Sequence, residues 1–277
     1  MRVAYLGPPG TFSEEAVGRC DLARGGEHVP YPSIPDAYEA VAKGEVDAAL
    51  LPIENSIEGS VNATLDLLVH RPGLRIRREV LLPIEQQLMA ARGTRLEDVK
   101  KVLSHPQPLG QCAGFLRERL RGVPLEATAS TAEAARLVAA QGEGAALAAL
   151  GPRAAALRYG LEILAEDVQD AEANTTRFVL VAREDEAPTG RDKTSIAFTL
   201  DRDRPGGLYE VMGELARRQI NLSRIESRPM KQALGHYVFY LDFEGHRADP
   251  ACAEALMGAL QRVHALHLLG SYPRAQG

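Results

Sequence analysis

Four hydrogen-bonding side chains stand in a row at Asn174-Thr175-Thr176-Arg177, directly before the apolar run Phe178-Val179-Leu180-Val181. The apolar run contains β-branched residues and little alternation, which is typical of a buried strand. An amide, two hydroxyls and a guanidinium at the start of such a strand either cap it or present donors to an anionic ligand. A turn followed by a surface ion pair is the alternative that the residue types alone favour.

Three more polar segments follow predicted strands. Short apolar runs predict these strands at residues 2–6, 46–51 and 102–105. Open α/β sheets bind ligands in a crevice at the strand ends, so four polar strand ends in one chain predict the walls of a single cleft. The three segments are Gly7-Pro8-Pro9-Gly10-Thr11-Phe12-Ser13-Glu14, Pro52-Ile53-Glu54-Asn55-Ser56-Ile57-Glu58-Gly59-Ser60 and Pro106-Gln107-Pro108-Leu109-Gly110-Gln111-Cys112.

Each segment also has an ordinary structural explanation. In the first, Thr11 or Ser13 can cap a helix whose N–H groups would suit an anion, but the glycine spacing matches neither a P-loop nor a dinucleotide fingerprint. Glu54-Asn55-Ser56 alone is usually a helix cap, and a lone His105 is more often structural than catalytic. Only the number and order of the segments favour a cleft.

Composition bounds the class of protein. A length of 277 residues suits two domains, and the 45% hydrophobic and 25% charged residues are ordinary for a globular protein. With a net charge of −5 and scattered basic residues, we expect no nucleic-acid partner. The sequence shows no signal-peptide pattern and no apolar run of roughly 18 residues, so we expect no membrane span and a cytoplasmic location. Cys20, Cys112 and Cys252 are widely spaced, and we expect three reduced thiols.

The order of predicted elements divides the chain into three parts. Strictly alternating strands and helices predict two α/β lobes, at residues 1–82 and 84–170, with a strand at 176–182 that crosses back to the first lobe. Two lobes joined by two crossing segments form a hinged cleft. Residues 183–193 are charged, with proline and glycine, and predict a linker. Residues 194–277 follow the order βαββαβ of a ferredoxin-like domain, with one strand beginning at His236.

The four polar segments, in this order, closely resemble those of bacterial prephenate dehydratases, and Thr176-Arg177-Phe178 matches that family's Thr-Arg-Phe signature. The part after the linker resembles the ACT regulatory domain that is fused to these enzymes. The family commonly has Gly-Ala-Leu-Val where this chain has the bulkier Gly206-Gly207-Leu208-Tyr209. The matching ACT segments are Arg204-Pro205-Gly206-Gly207-Leu208-Tyr209, Asn221-Leu222 and Glu226-Ser227-Arg228-Pro229.

The resemblance implies a fold, an activity and partners. The fold would be α/β, with a two-lobed periplasmic-binding-protein-like catalytic domain at 1–182 and an ACT domain at 194–277. The enzyme, a hydro-lyase, would convert prephenate to phenylpyruvate, water and carbon dioxide without a metal or cofactor. L-Phenylalanine would be its allosteric inhibitor, and the protein would be a homodimer or homotetramer. Arogenate, the aminated analogue of prephenate, stays open as the substrate, and so does a two-lobed aromatic-metabolite sensor without catalysis.

The resemblance also assigns roles to residues. Thr176 would stabilise the leaving hydroxyl, and His105 or Glu54 would supply its proton. Arg177 would hold a carboxylate or orient Thr176, although strand alternation puts residues 176 and 177 on opposite faces. The expected substrate-binding residues are Thr11, Ser13, Asn55, Ser56, Ser104, Gln111, Asn174, Thr175 and Phe178. The expected effector-binding residues are Gly206, Gly207, Leu208, Tyr209, Asn221, Leu222, Glu226, Ser227, Arg228 and Pro229.

Overall fold

Two α/β lobes and a third, antiparallel sheet make up the molecule. The computed structural model describes residues 1–142, 144–171, 173–184, 186–200, 205–230 and 237–275. Asp185 of the expected linker, Arg204 of the expected ACT motif and the predicted strand start at His236 lie outside these residues.

The first lobe is built around a mixed sheet with the strand order β2-β1-β3-β11-β5, and the short β4 pairs with β3. Strands β1, β2 and β3 are parallel, whereas β11 is antiparallel to both of its neighbours. The chain therefore returns to this lobe after building the second one. The elements are β1 (Arg2–Leu6), α1 (Phe12–Arg19), β2 (Glu27–Tyr31), α2 (Ile34–Lys43), β3 (Ala48–Asn55), β4 (Gly59–Ser60), α3 (Asn62–His70), β5 (Arg75–Pro83) and β11 (Thr175–Ala182).

The second lobe repeats this arrangement with the order β10-β6-β9-β7-β8. Here β6, the strand that follows the first crossing, is the antiparallel one, as β11 is after the second crossing. The two lobes are thus joined by two segments that bound a cleft. The elements are β6 (Gln87–Ala90), β7 (Lys101–Ser104), α4 (Pro106–Gln111), α5 (Ala113–Arg119), β8 (Leu125–Ala127), α6 (Thr131–Gln141), β9 (Leu147–Gly151), α7 (Arg153–Tyr159) and β10 (Glu162–Ala165).

Some local predictions differ from the structure for identifiable reasons. Strict alternation is wrong, because β5 is followed directly by β6. Strand β3 does not end at residue 51 but continues to Asn55, and the pairing register of β11 shifts opposite Pro52, which has no N–H to donate. The segment that begins at Pro106 predicts one helix through Leu120, but the structure divides it at Cys112, where Asp170 accepts hydrogen bonds from the Gly114 and Phe115 N–H groups of α5.

The third sheet confirms the expected βαββαβ order. Its strands run β13-β14-β12-β15 and all pairs are antiparallel. Helices α8 and α9 cover one face through a core that contains Phe198, Leu215 and Phe243. The elements are β12 (Asp192–Thr199), α8 (Gly207–Ala216), β13 (Leu222–Pro229), β14 (Tyr237–Glu244), α9 (Pro250–Leu260) and β15 (Ala265–Pro273).

The other face of the third sheet packs directly on the first lobe. Ile76 and Val179 of the first lobe share one buried core with Tyr240 and Leu269 of the third sheet. At Gly270 a Cβ atom would lie 2.4 Å from the carbonyl oxygen of Ile76, so the close approach of β15 to β5 requires glycine. The third sheet is therefore a fixed layer against the lobe that carries β3 and β11.

Candidate active site

A cleft of about 740 Å³ lies between the two lobes. Its size suits a small metabolite. Seven of the residues expected to bind substrate or act in catalysis line it, namely Thr11, Ser13, Asn55, His105, Gln111, Asn174 and Thr176. Further polar lining residues are Gln86, Gln107, Glu126, Thr128, Ser130, Thr131 and Glu133.

Besides the short α4, two longer helices begin at this cleft, one from each lobe. Thr11 is the N-cap of α1, and Ser130 is the N-cap of α6, where its hydroxyl accepts a hydrogen bond of 3.0 Å from the Glu133 N–H. The N-terminus of a helix carries unpaired N–H groups and a positive partial charge, which favour a bound anion. Among the described residues that line the cleft, none is Lys or Arg, so these helix termini and the amides are its anion-binding groups.

Asn55 orients the side chains at the centre of the cleft. Its Oδ1 accepts hydrogen bonds from the backbone N–H groups of Ile57 (2.9 Å) and Glu58 (3.0 Å), which can only donate. Its NH₂ group therefore faces Asn174 Oδ1 at 2.7 Å and Thr176 Oγ1 at 2.9 Å. Because the Thr176 oxygen accepts from Asn55, the Thr176 hydroxyl proton is left to donate to a ligand in the cleft.

The chain of hydrogen bonds from Asn55 through Asn174 continues to Gln111. Asn174 receives a hydrogen bond on its oxygen, so its NH₂ group faces Gln111 Oε1 at 3.4 Å. The Gln111 Nε2 is buried and has no hydrogen-bond partner among the described residues. Gln86, which the sequence analysis missed, has a buried Oε1 in the same condition. Two residues that line the cleft thus each have a buried polar atom without a partner among the described residues, and unpaired buried polar groups favour a polar ligand.

His105 lies at the cleft wall, whereas its neighbour Ser104 does not. His105 is the N-cap of α4, and its Nδ1 accepts a hydrogen bond of 3.4 Å from the Gln107 N–H. This contact leaves the proton on Nε2, the tautomer that can donate. The Ser104 hydroxyl is fully buried and donates to the Leu150 carbonyl at 2.9 Å. The expected contact of Ser104 with substrate is wrong, because the hydroxyl joins β7 to β9.

Arg177 and Glu54 lie on the opposite face of the first sheet, turned away from the cleft. Arg177 donates to Glu79 at 2.8 Å and to Asp242 at 2.5 Å, and only 7% of the residue is exposed. Glu54 forms an ion pair with Arg224 of the third sheet, with 3.2 Å between Arg224 Nε and Glu54 Oε2. A carboxylate contact of Arg177 and proton donation by Glu54 are therefore wrong, because strand alternation directs both side chains to the third sheet. The expected alternative, that Arg177 orients Thr176, stays a prediction.

Three more expected substrate contacts serve the architecture of the cleft instead. Ser56 Oγ donates to the Ala173 carbonyl at 3.1 Å and accepts from the Thr175 N–H at 2.9 Å, so Ser56 and Thr175 join the second crossing segment to the end of β3. Phe178 is 2% exposed and belongs to the core beneath α1. None of these three lines the cleft.

The expected effector residues are divided between two faces. Glu226 forms an ion pair with Arg224 and accepts from Ser60, and Arg228 pairs with Asp66 at 2.8 Å, so both side chains face the first lobe. Both charges are paired with the first lobe in this chain, and their expected contact with an effector stays a prediction. Tyr209 is 79% exposed. Ser227, Pro229, Asn221 and Gly206 are also exposed, whereas Gly207 is buried and Leu208 and Leu222 pack on the core of the third sheet.

The loop of residues 127–131 is the largest part of the site that the sequence analysis missed. It follows β8 and opens α6, and it contributes Thr128, Ser130 and Thr131 to the cleft. The capping box at Ser130, in which Glu133 follows three residues later, predicts the start of the helix but not its place at the cleft. The rule of polar strand ends, applied to this strand as to the other four, would have found the loop.

The described part of the chain offers little alternative chemistry. Burial raises the pKa of Cys112 to about 12 and also raises the pKa of Cys20 and Cys252, so all three free thiols stay protonated. Among the described residues, no group of His, Cys, Asp and Glu side chains could hold a metal ion, and no helix is long and apolar enough to cross a membrane.

Fold and site together define a two-lobed α/β protein with a small-ligand cleft and a ferredoxin-like domain packed on one lobe. A profile of the family described as prephenate dehydratase matches residues 3–186, and a profile described as ACT domain matches residues 194–260. "Prephenate dehydratase" from Amycolatopsis methanolica is 42% identical over 279 residues, which cover 100% of this chain and 90% of that protein. The chain belongs to the prephenate dehydratase family, whose members are hydro-lyases.

Two further comparisons bear on ligands. "Arogenate dehydratase 2" from Petunia hybrida is 43% identical over 296 residues, which cover 100% of this chain and 73% of that protein. The crystal structure of prephenate dehydratase from Arthrobacter aurescens in complex with L-Phe superposes with a TM-score of 0.90 at 41% identity. That comparison covers 99% of this chain and 90% of the other.

Proposed function

We propose that this protein converts prephenate to phenylpyruvate, water and carbon dioxide, in the synthesis of phenylalanine. One observation carries the proposal. The Thr176 hydroxyl lies in the cleft and accepts from Asn55, so that its own proton is free for a leaving oxygen. Family membership supports the same reaction, and it makes a non-catalytic sensor the weaker reading.

The chemistry asks little of the protein beyond orientation. Prephenate carries a ring hydroxyl opposite a quaternary carbon that bears a carboxylate. The bond to that carboxylate breaks to release carbon dioxide, its electron pair enters the ring, and the C–OH bond breaks on the other side. Protonation of the departing hydroxide gives water, and the ring becomes aromatic. The protein must hold the dianion so that these two bonds align, and must stabilise the departing oxygen.

Each part of this task has candidate groups in the cleft. Thr176 donates to the departing oxygen through a hydrogen bond that strengthens as negative charge develops there. The Nε2–H of His105 donates a hydrogen bond to the departing oxygen or to a water beside it, and the proton itself comes from solvent, because a neutral imidazole whose Nδ1 accepts is too weak an acid to give it up. The N-termini of α1 and α6 bind the two carboxylates, and Gln111 lines the cleft beside them. Closure of the lobes would exclude water and strengthen each contact.

Arogenate is the second candidate substrate, and one observation about the cleft supports it. Arogenate has an ammonium group where prephenate has a keto oxygen, so it needs an acceptor in the cleft. Gln86 Oε1 is buried and without a partner, and the carboxylates of Glu126 and Glu133 line the same cavity. These groups could accept from an ammonium, whereas a keto oxygen could not donate to them.

We also propose L-phenylalanine as the allosteric effector of the ACT part. The bound L-Phe in the Arthrobacter aurescens structure supports this assignment. The candidate contacts are those expected residues that do not face the first lobe, around Gly206, Tyr209, Asn221 and Ser227. A homodimer or homotetramer in the cytoplasm belongs to the same proposal, on the support of the family alone.

Turnover of the two substrates by the purified full chain tests the activity. Prephenate should yield phenylpyruvate, and arogenate should yield phenylalanine, each measured by chromatography with and without enzyme. We expect a higher kcat/KM for prephenate. A higher value for arogenate would transfer the proposal to the aminated substrate. Binding of prephenate without consumption, measured by calorimetry on folded protein, would replace the enzyme with the sensor.

A further inference from the structure

The two strands that carry Asn55 and Thr176 present a second pair of side chains to the opposite face of the sheet. Thr176 is paired in register with Asn55, and the next pair along the same strands is Arg177 with Glu54. Because successive residues of a strand point to opposite faces, one pair faces the cleft and the other faces the third sheet. The two pairs are one residue apart on both strands.

The third sheet holds Arg177 with several buried contacts. Its guanidinium donates to Asp242 of β14 at 2.5 Å and to the Tyr272 hydroxyl of β15 at 2.7 Å. The third partner of Arg177 is Glu79 of β5, which also forms an ion pair of 2.8 Å with Lys193 of β12. Arg177 is 7% exposed. A planar guanidinium bound on all its nitrogens in a buried site has one position, which the surrounding sheets determine.

Glu54, which is only partly buried, is also held by the third sheet. Arg224 of β13 pairs with Glu54 at 3.2 Å and also donates to Ser60 Oγ at 2.8 Å. Ser60 is itself paired with Glu54 across β3 and β4. The third sheet therefore contacts both members of the Glu54–Arg177 pair, and it does so from three of its strands.

We propose that Glu54 and Arg177 are positioning residues through which the ACT sheet sets the geometry of Asn55 and Thr176. The inference rests on the proposed function. A shift of the ACT sheet cannot leave Arg177 in place without separating buried ion partners, so β11 follows the shift at the residue next to Thr176. The Asn55–Thr176 hydrogen bond and the direction of the Thr176 hydroxyl then change with it. A misplacement of about 1 Å at a reacting group can cost about 10²-fold in rate.

Other contacts between the same two layers do not reach this pair, and they supply a matched control. Tyr240 of β14 is buried, and its hydroxyl donates to the Leu65 carbonyl of α3 at 3.3 Å. Like Tyr272, it is a buried tyrosine of the ACT sheet that bonds the first lobe. Its partner is a helix, however, and not Arg177 or Glu54.

The test compares Tyr272→Phe with Tyr240→Phe in the full chain, with Arg224→Gln as a second variant on the Glu54 side. Each variant is measured for kcat and KM with prephenate and for Tm. We expect Tyr272→Phe and Arg224→Gln to lower kcat roughly 10-fold, with KM within about twofold, since binding groups stay in place while alignment is lost. Tyr240→Phe should keep the wild-type kcat even where its Tm falls.

Two results would overturn the inference. One is a wild-type kcat in both Tyr272→Phe and Arg224→Gln. The other is an equal loss of kcat in Tyr272→Phe and Tyr240→Phe, which would show a general effect of weaker packing. Failure of the proposed function looks different, because the wild-type chain itself would then form no phenylpyruvate in the same assay.

Discussion

In the proposed reaction, Thr176 has the most demanding role of any residue in the cleft. A threonine hydroxyl is a weak acid, so its contribution is a hydrogen bond to a developing charge rather than outright proton transfer. That contribution depends on which way the hydroxyl points, and Asn55 determines the direction by donating to its oxygen at 2.9 Å. The orientation of Asn55 is in turn set by two backbone N–H groups that leave it no alternative.

Thr176→Val tests this role at the scale of one atom, because valine keeps the shape of threonine and removes the hydroxyl. We expect kcat for prephenate to fall about 10²- to 10³-fold, as for loss of one donor to a developing oxyanion, with little change in KM. Thr199→Val is the matched control, since that strand hydroxyl is 7% exposed and has no partner among the described residues. Near-normal turnover in a folded Thr176→Val protein would remove Thr176 from the mechanism.

The sequence could predict which strand ends meet, but only part of what each residue does there. Asn55 and Gln111 come at or after the ends of buried strands, and such polar groups collect at the cleft. Asn174 and Thr176 reach the same cleft because they lie at the start of β11, which runs antiparallel to β3. The partners of Arg177 could not be predicted. Strand alternation already predicts that Arg177 and Thr176 lie on opposite faces of the sheet. The domain that covers the face of Arg177 is distant in sequence, however, and no local pattern predicts that contact.

At the scale of elements, local signals were reliable where caps and periodicity agreed. Helical spacing predicts a helix over residues 34–43 that Gly44 ends. Helix α2 has these bounds, because Ser33 caps its N-terminus and Gly44, with φ of 79°, ends it. The antiparallel insertion of β11 between β3 and β5 could not be predicted in this way, since a buried strand has the same apolar pattern whichever direction it runs. Pairing with β11 also explains why β3 extends beyond its apolar run to Asn55.

The close contact between β5 and β15 predicts that a side chain at Gly270 destabilises the protein. A Cβ atom there would meet backbone atoms of Ile76, which cannot move aside, and the φ of +150° is itself unfavourable for alanine. We expect Gly270→Ala to lower the free energy of unfolding by at least about 2 kcal/mol, measured by denaturant titration.

Gly18→Ala is the matched control for Gly270→Ala. Gly18 is exposed in α1, and nothing lies within 4 Å of the added Cβ. Alanine there should raise the free energy of unfolding by roughly 0.5–1 kcal/mol, because glycine is unfavourable inside a helix. If Gly270→Ala were as stable as Gly18→Ala, the ACT sheet would not be seated on β5 as described.

At the scale of the molecule, the buried ions between the ACT sheet and the first lobe link stability to pH. Burial opposes the ionisation of Asp242, but the Arg177 guanidinium and the Ser195 hydroxyl outweigh it and hold the pKa of that carboxyl below its usual range. A depressed pKa in the folded state gives stability that is present above the ordinary pKa of about 4 and lost as the pH falls below it.

Asp242→Asn should therefore change both the free energy of unfolding at neutral pH and the dependence of that free energy on pH. At neutral pH we expect a loss of about 3 kcal/mol in the free energy of unfolding, because Arg177 keeps its charge and loses a buried partner. Between about pH 5 and pH 3 the variant should lose less further stability than the wild type, since one titrating carboxyl is gone. Denaturant titrations at several pH values measure both, and parallel acid profiles would contradict the role of Asp242.

The central claim joins the two parts of the chain, namely that the cleft dehydrates prephenate and that the ACT part controls it. The most direct measurement is phenylpyruvate formation from prephenate by the purified full chain, with and without added phenylalanine. The account predicts turnover that phenylalanine suppresses. A folded protein that forms no phenylpyruvate would contradict the catalytic claim, and turnover that phenylalanine leaves unchanged would contradict the control by the ACT part.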